Sequence, residues 1–255
     1  MPPLLPTLGQ PFISFSELDS TNEEGHRLLE GGVAQSGMAI FTANQQKGKG
    51  QRGKSWASSK DQGVALTLLI EPHFLTVSQQ FLLSGAVAIG VRNFLASLGG
   101  RPELFKIKWP NDIYYGDRKI AGISIENSIR SNGSWQWAII GIGININQET
   151  FSQELPNPIS LFQITQKKNE PATLAKSLCN SLSTELNHLF EMAPQQLLAQ
   201  YQQHLYKRGE LCQFSRAGAS FSAIPTGITP NGELLLDRIE HPIAFGEIEW
   251  KITLA

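Results

Sequence analysis

Residues 47–54 are the part of this chain best equipped for chemistry, because three glycines and four cations fall within these eight positions. No Asp or Glu lies between Gly31 and Lys60 to neutralise the positive charge. Glycine lets backbone N–H groups turn toward an anion, and Lys and Arg add charge. The stretch is predicted to bind a phosphate or a carboxylate, and a solvated surface loop is the alternative.

Residues 48–55 also fit the P-loop pattern G-x-x-x-x-G-K-S/T letter for letter. That pattern binds nucleotides where its Lys and Ser open a helix whose N–H groups hold the phosphates. Here residues 56–63 lack an apolar helical period, and residues 64–70 form an apolar run typical of a buried strand. We therefore predict strand, glycine-rich loop and strand, which excludes the P-loop NTPase fold.

A polar triplet, Ser20, Thr21 and Asn22, follows the short alternating strand predicted at residues 12–15. Both Ser20 and Thr21 have a Glu three residues later, which is the spacing of a capping box, so a helix is predicted to begin here. Helix capping alone explains these side chains. Hydroxyls and an amide at a helix N-terminus can also bind a polar ligand, and the two roles are compatible.

Two more candidate positions lie at breaks in predicted strands. Pro110 takes the chain off a ladder, so Asn111 and Asp112 are expected at a strand end, as site residues or as plain turn formers. Strands are also predicted at residues 118–126 and 135–146, with interior glycines of the kind that mark a bulge or a close approach by a ligand or another backbone.

The remaining elements position these residues. One helix is predicted to open at Ser78 and end at Gly99-Gly100, and leucine stripes predict two more within residues 171–205. Short strands follow, with Asn231-Gly232 as a hairpin turn. The pattern predicts an α/β (α+β) domain over residues 1–206 and a small β-barrel over residues 207–255.

The totals exclude several classes of protein. A net charge of −1 over 255 residues argues against broad nucleic-acid affinity. The two cysteines have no metal or redox spacing, which favours a reduced, cytoplasmic setting. The first residues lack the pattern of a signal peptide, and no run approaches the roughly 18 apolar residues of a membrane span.

Five motifs in this order resemble those of biotin protein ligases. They are Ser20-Thr21-Asn22, the Gly/Lys loop ending at Trp56, Lys108-Trp109-Pro110-Asn111-Asp112, Lys119-Ile120-Ala121-Gly122 and Gly141-Ile142-Gly143-Ile144-Asn145. The resemblance runs from about residue 12 to the C-terminus and is closest to ligases that attach biotin to acetyl-CoA carboxylase. It implies a mixed-sheet catalytic domain followed by a small SH3-like β-barrel.

The resemblance also implies a two-step reaction. ATP and biotin, with Mg²⁺, give biotinyl-5′-AMP and pyrophosphate, and the biotinyl group then passes to one lysine of a biotin carboxyl carrier protein. The residues suit this chemistry, because cations and backbone N–H groups offset the repulsion between carboxylate and phosphate. A loop that orders over the adenylate would keep water from it.

The implied biotin-binding residues are Ser20, Thr21, Asn22, Gln45, Gly48, Lys49, Gly50, Lys119, Gly122 and Gly141. Ser20, Thr21 and Gln45 would hydrogen-bond the ureido group, and the loop at Gly48 to Gly50 would close over the carboxylate and α-phosphate. Gly122 and Gly141 would leave room for the bicycle. Lys119 and Lys49 are the implied catalytic residues, Lys119 by bridging the carboxylate and the α-phosphate.

The implied ATP-binding and adenylate-binding residues are Gln51, Arg52, Lys54, Trp56, Lys108, Asn111, Asp112 and Asn145. Trp56 is expected to pack the base of the loop rather than to touch ligand. Family members usually carry arginine where this chain has Lys49, Gln51 and Lys54. Lysine keeps the charge without the bidentate fork, and Gln51 loses the charge. No metal site made of protein side chains is predicted.

Three alternatives are open. A lipoate or octanoate ligase shares the implied fold, a non-catalytic biotin-binding module would use the same pocket, and some biotin ligases are also DNA repressors. The catalytic motifs begin at Ser20, so the chain is expected to lack the N-terminal helix-turn-helix of the repressors and to bind neither DNA nor membranes. A monomer or weak homodimer is expected.

Overall fold

A computed structural model describes residues 5–50, 55–56 and 59–252 of the chain. These residues form fourteen strands and five α-helices. The strands are β1 (Phe12–Phe15), β2 (Ala39–Thr42), β3 (Gly48–Lys49), β4 (Ser55–Trp56), β5 (Gly63–Ile70), β6 (Phe105–Lys108), β7 (Asp112–Tyr115), β8 (Arg118–Ile129), β9 (Trp135–Asn145), β10 (Cys212–Arg216), β11 (Ala219–Ala223), β12 (Pro225–Ile228), β13 (Leu234–Leu236) and β14 (Glu249–Lys251). The helices are α1 (Thr21–Glu30), α2 (Gln80–Ser97), α3 (Leu161–Thr165), α4 (Pro171–Glu191) and α5 (Pro194–Gln203).

Seven strands form one mixed sheet in the order β1-β2-β5-β9-β8-β7-β6. Only β1 and β2 pair in parallel within this sheet, because α1 carries the chain back between them. β5 is buried along its whole length, as its unbroken apolar run predicts for a strand covered on both faces. The prediction of a mixed-sheet α/β fold is confirmed.

Helices cover the two faces of this sheet unequally. Leu66, Leu68 and Ile70 of β5 face the main core, which also contains the buried sides of α2, α4 and α5. Alternate residues of the same strand point the other way, and Leu69 packs in a smaller cluster with Leu28 of α1. Gly25 lets α1 lie close to the sheet, since a Cβ there would be 3.1 Å from Leu69 Cδ2. The N-terminus of α1 is thereby held over β5 and β9.

Of the two predicted helix starts, the one at Ser20 is observed and the one at Ser78 is not. Ser20 caps α1 as predicted, with its side chain accepting a hydrogen bond from the Glu23 N–H at 3.4 Å. The prediction that Ser78 opens the next helix is wrong. Thr76 is the cap of a 3₁₀ turn over Val77–Gln79, and α2 begins at Gln80. The short polar side chains at residues 76–79 bond one another and form this tighter turn.

The C-terminal strands form two small sheets, β11-β10-β14 and β12-β13. Gly232, with φ of +87°, lies in the turn between β12 and β13, which confirms the predicted hairpin. Phe214 and Trp250 of these sheets belong to the same buried cluster as Phe105 of the main sheet. The boundary at residues 206 and 207 and the SH3-like barrel both stay predictions.

Candidate functional site

A cavity of about 840 Å³ opens at the N-terminus of α1, on the face of the sheet that α1 covers. The sheet contributes its floor through small residues of neighbouring strands, Ala65 of β5, Gly141 and Gly143 of β9, and Gly122 and Ser124 of β8. These positions come together through the register, since Gly122 pairs with Gly143, and Ser124 with Gly141. Small side chains leave the space above the sheet open.

One end of the cavity is polar. The sequence-predicted residues Ser20, Thr21, Asn22 and Gln45 all line it. Gln45 Oε1 accepts a hydrogen bond from the Thr21 backbone N–H at 2.9 Å. Thr67 of β5 lies beneath, with its Oγ1 2.8 Å from Thr21 Oγ1 and 2.6 Å from Asn22 Oδ1. Sequence reasoning missed Thr67, which lies inside an apolar strand and is fully buried.

Gly141 is needed by the protein itself at this end. A Cβ at Gly141 would lie 2.5 Å from Asn22 Oδ1, closer than real side chains approach. The resemblance assigned Gly141 to making room for the biotin bicycle. The structure adds a second reason, because only glycine lets the Asn22 amide lie flat against β9.

The side chain of Lys119 supplies a positive charge on the side of the cavity opposite the polar end. Lys119 of β8 lies with its Nζ 2.7 Å from Asp112 Oδ1, and its side chain is only 31% exposed. Its backbone is fixed by the loop after β9, since the Lys119 N–H donates to the Asn157 carbonyl at 2.7 Å and the Ile159 N–H donates to the Lys119 carbonyl at 2.9 Å. Lys119 therefore presents a positioned positive charge to the cavity.

Trp56 crosses the floor between these two regions. A Cβ at Gly143 would lie 2.5 Å from Trp56 Cε2, and one at Gly122 would lie 3.1 Å from Cζ3, so the indole rests directly on this glycine pair. Lys119 Nζ stands 5.5 Å from the centroid of the ring. The indole Nε1 is buried and has no hydrogen-bond partner among the described residues.

The Gly/Lys loop is a hairpin where it is described. β3 and β4 pair antiparallel, Gly48 with Trp56 and Lys49 with Ser55, so Ser55 lies in a strand rather than opening a helix as a P-loop serine does. Gly50 lines the cavity. A Cβ at Gly48 would lie 2.4 Å from Gln45 Nε2 and from the Trp56 carbonyl oxygen. Gln51, Arg52 and Lys54 lie outside the described residues, as does the side chain of Lys49.

Asn111 lies in the turn after β6 and Asp112 is the first residue of β7, so both lie at strand ends, as predicted. The Asn111 side-chain amide donates to the Ile123 carbonyl, and Ile123 N–H donates back to the Asn111 carbonyl at 3.0 Å. Asp112 begins β7 and faces Lys119. Lys108 is placed further out, with its Nζ 5.7 Å from the Tyr114 ring centroid and 6.0 Å from that of Trp250. The adenylate-binding roles of these residues stay predictions.

Asn145, at the end of β9, lines the cavity but also holds its wall together. Its side-chain amide donates to the carbonyls of Ile159 at 3.1 Å and of Lys119 at 3.4 Å. The side chain thus connects β9 to β8 and to the loop that fixes Lys119. Its predicted contact with a nucleotide is not tested by this geometry.

Tyr114 and the C-terminal sheet complete the cavity, and sequence reasoning missed both. The lining residues from the C-terminal part are Phe245, Gly246, Ile248, Glu249 and Trp250. Burial and the nearby Asp112 carboxylate raise the pKa of the Tyr114 phenol well above its usual value. Tyr114 therefore stays a neutral hydroxyl, and its oxygen lies 3.3 Å from Asn157 Nδ2, which donates to it. In the sequence, the aromatic residues Phe245 and Trp250 are the one feature that could have indicated that the C-terminal part lines the cavity.

The mixed sheet, the glycine hairpin and the partly buried Lys119 define an α/β protein with a cavity that is polar at one end and cationic at one side. Comparison with known proteins identifies the family. The sequence model of the biotin/lipoate A/B protein ligase family matches residues 15–145. This chain belongs to that family, which confirms the resemblance drawn from the five motifs.

Individual relatives are similar over different lengths. The bifunctional ligase/repressor BirA of Escherichia coli K12 is 30% identical over 241 residues, covering 91% of this chain and 71% of that protein. A biotin–acetyl-CoA-carboxylase ligase of Paracoccus denitrificans is 35% identical over 131 residues, covering 50% of this chain and 51% of that protein. The chain spans about half the length of several curated relatives that it matches.

A solved structure shows the same fold. The biotin protein ligase of Aquifex aeolicus in complex with biotin and ATP is similar with a TM-score of 0.77 at 24% identity, over 94% of this chain and 98% of that one. Separately, no helix of the described residues is long and apolar enough to cross a membrane.

Proposed function

We propose that this chain is an ATP-dependent biotin ligase. A carboxylate oxygen of biotin attacks the α-phosphorus of ATP, forming the acyl phosphate bond of biotinyl-5′-AMP and breaking the bond to pyrophosphate. A lysine amine of a carrier protein then attacks the acyl carbon. An amide forms, AMP leaves with the electrons of the broken bond, and the amine gives up its proton.

The observation that carries this proposal is a cavity with a hydrogen-bonding end and a cationic side. Ser20, Thr21 and Gln45 offer donors and acceptors in a partly buried place, which suits a ureido group carrying both N–H and C=O. The names of the relatives point the same way, since biotin ligases recur among them. Biotin and ATP are bound in the Aquifex aeolicus structure.

Lys119 has the geometry for the adenylation step. Its Nζ is held by one carboxylate, Asp112, and has two further protons to donate. A biotin carboxylate and an α-phosphate that meet here would both gain from this charge. Because the lysine is positioned before the ligands arrive, its charge stabilises the transition state with little reorganisation.

We propose that Mg²⁺ binds together with ATP and is not held beforehand in a site made of protein side chains. Among the described residues no group of three His, Cys, Asp or Glu side chains is placed to hold a metal ion. Magnesium commonly binds to substrate phosphates with only one or two carboxylates. Asp112 lines the cavity beside Lys119 and could serve as one such carboxylate.

The carrier follows from the same chemistry. We propose a biotin carboxyl carrier protein as the partner, because the Paracoccus denitrificans relative is named for acetyl-CoA carboxylase. Cys179 and Cys212 are both buried and free, which supports a reducing setting, and we propose the cytoplasm. The proposal includes no DNA partner, given the net charge of −1.

Lipoate or octanoate would fit this site less well. Neither has a hydrogen-bonding group at the end remote from its carboxylate, so the polar end of the cavity would be left facing apolar atoms. Leaving buried polar groups unpaired costs about 1–3 kcal/mol each. Biotin is therefore the ligand that the cavity favours.

Exchange of labelled pyrophosphate into ATP tests the proposal. The protein is incubated with ATP, Mg²⁺ and labelled pyrophosphate, and biotin, lipoate or octanoate is added in turn. Exchange with biotin alone is expected, without any carrier present. Exchange with lipoate or octanoate but not biotin would make the chain a ligase of the other kind, and biotin binding without exchange would leave a binding module.

A further inference from the structure

The backbone of Lys119 has a loop, rather than a regular strand, as its neighbour on one side. β9 pairs with β8 from Ala121 to Ile129, so Lys119 lies beyond that pairing. Residues 157–159 take the place of β9 there and run parallel to the start of β8. The Lys119 N–H donates to the carbonyl of residue 157 at 2.7 Å, and the N–H of residue 159 donates to the Lys119 carbonyl at 2.9 Å. The position of this lysine therefore depends on what holds residues 157–159.

Asn157 is the point at which this loop enters the protein. Residues 149–156 are exposed or half-buried, whereas Asn157 is only 7% exposed. It lies between Pro156 and Pro158, which have no backbone N–H to donate to a neighbouring element. The side chain of Asn157 is thus left to supply hydrogen-bond donors at this place.

That side chain holds the loop to residues on both sides of Lys119. Asn157 Nδ2 donates to the Asp117 carbonyl at 2.7 Å and to the Tyr114 hydroxyl at 3.3 Å. Asp117 lies in the turn two residues before Lys119, and Tyr114 is the cross-strand partner of Lys119 on β7. The Asp117 carboxylate accepts in turn from the Tyr206 hydroxyl at 2.6 Å, so this turn is itself fixed.

Asn157 lines the cavity, but its amide has no donor left for a ligand. The two protons of its NH₂ group are both used within the protein, on Asp117 and Tyr114. The remaining oxygen only accepts hydrogen bonds, so it cannot bind the oxygens of a carboxylate or a phosphate. The side chain is therefore placed to act through the backbone of Lys119 rather than on the substrates.

We propose that Asn157 is a positioning residue for Lys119. The inference rests on the proposed function, in which the Lys119 ammonium meets both the biotin carboxylate and the α-phosphate. Without the Asn157 amide, residues 157–159 lose their side-chain attachment to the turn between β7 and β8, and Lys119 loses a fixed neighbour. The ammonium is then less often at the place where charge develops. A displacement of about 1 Å in a positioned group can lower a rate about 100-fold.

Biotin-dependent pyrophosphate exchange by Asn157→Leu tests the proposal. Leucine is close to asparagine in size and removes both side-chain hydrogen bonds. The kcat of exchange is expected to fall about 10–100-fold, because the lysine is misplaced. The KM values for biotin and ATP should change much less, because no ligand contact is lost. A raised KM at an unchanged kcat would make Asn157 a ligand-binding residue and overturn the inference.

Asn147→Leu is the matched control. Asn147 belongs to the same loop, is also 7% exposed, and donates from its Nδ2 to two carbonyls, that of Asn169 at 2.7 Å and that of Asp61 at 3.4 Å. Among the described residues, those that line the cavity do not include Asn147. Both variants are expected to melt at a lower temperature than the wild type, and only Asn157→Leu should lose kcat. Equal losses of kcat would mean that the loop has been disturbed in general, and the inference would be wrong.

A double-mutant cycle separates positioning from stability. In a Lys119→Ala background, Asn157→Leu should cause no further loss of kcat, because the two residues act through one charge. Losses that multiply independently would contradict the inference. If Asn157→Leu does not fold, Asn157→Ala takes its place in every measurement, since it removes the same hydrogen bonds and adds no bulk. Failure of both to fold, with a folded Asn147→Leu protein, would give Asn157 a purely structural role and end the proposal.

The same measurements distinguish failure of the inference from failure of the proposed function. If the wild type exchanges pyrophosphate with biotin and Asn157→Leu does so at the same rate, the inference alone fails. If the wild type shows no exchange with biotin, the proposed function fails and the inference with it.

Discussion

At the scale of single residues, the ion pair between Lys119 and Asp112 defines the state of the site without ligand. The two atoms are 2.7 Å apart, so the lysine charge is partly satisfied before any substrate binds. A carboxylate partner holds the ammonium within the cavity rather than letting it turn to solvent. Substrate oxygens can then join the coordination of a charge that is already in place.

Lys119→Ala is expected to keep the fold and to lose adenylation activity about 10²–10³-fold, because one preorganised donor to developing charge commonly contributes that much. Asp112 would also lose its ion-pair partner, so a small loss of stability should accompany it. Biotin-dependent pyrophosphate exchange measures the effect. The control is Lys168→Ala, at a lysine 64% exposed and paired with Glu149 on the surface.

A lysine at the start of a strand can also be an ordinary surface residue. Near-normal exchange by a folded Lys119→Ala protein would give Lys119 that ordinary role and remove the cationic side from the proposed mechanism. The Lys168→Ala protein should exchange at the wild-type rate in either case, because surface ion pairs contribute little.

At the scale of elements, the hairpin of β3 and β4 is anchored by an aromatic ring on two glycines. Gly122 and Gly143 face each other across β8 and β9, and Trp56 at the end of β4 rests on both. The stem of the Gly/Lys loop is thereby set over the cavity floor.

Gly143→Ala tests the anchor. The added Cβ would lie 2.5 Å from the indole, so Trp56 must move, and the loop stem should move with it. Given the proposed function, we expect the variant to release biotinyl-5′-AMP at least several-fold faster, with a loss of stability of about 1–3 kcal/mol from overpacking. A dissociation assay on protein loaded with the adenylate provides the rate.

Gly85→Ala is the control, since its Cβ would meet Leu197 Cδ2 at an ordinary 3.4 Å inside α2. Alanine favours a helix interior over glycine by roughly 0.5–1 kcal/mol, so this protein should be as stable as the wild type or more so. An unchanged release rate in Gly143→Ala would mean that Trp56 does not anchor the loop.

The elements were largely predictable because their signals are local. The unbroken apolar run of β5 and the Ser20 cap of α1 each act within a few residues. The site was predictable only where a motif carried it. Thr67 joins the site through the register of β5 and β9. The aromatic residues of the C-terminal part join it through contacts that are distant in the sequence, as Trp109 to Gly232 illustrates with a separation of 123. No single window of sequence contains that information.

At the scale of the whole molecule, the C-terminal sheets are tied to the main sheet beside the cavity. Trp109 is buried after β6 and its indole Nε1 donates to the Gly232 carbonyl at 2.7 Å. Its ring also meets that of Phe245, a cavity residue, with centroids 6.1 Å apart. One side chain thus connects the β12–β13 turn, the cavity wall and the main sheet.

Trp109→Phe should therefore destabilise the protein by about 1–3 kcal/mol, the cost of an unsatisfied buried carbonyl, and raise the KM of a substrate in the cavity. Urea unfolding and pyrophosphate exchange measure the two effects. Trp135→Phe is the control, because Trp135 Nε1 donates to the nearby Trp137 carbonyl at 2.9 Å within β9. It should lose stability without a change in KM, and equal KM values for both variants would contradict the docking role of Trp109.

His204, at the end of α5, links the stability of the whole chain to pH. Burial first, and then the positive charges of Arg92 and Lys106, lower the pKa of its imidazole to about 4. In the unfolded chain the same group titrates near 6.5. Between these values the unfolded state binds more protons than the folded state, so stability falls as the pH falls from about 6.5 toward 4.

Removing the titrating group should remove this share of the pH dependence. We expect the melting temperature of the wild type to fall more steeply than that of His204→Gln as pH decreases from 7 to 4.5, with little difference in slope above pH 7. His188→Gln provides the comparison, since it removes an exposed histidine of α4. Parallel melting curves for the wild type and His204→Gln would show that the imidazole is protonated as readily in the folded protein as in the unfolded chain.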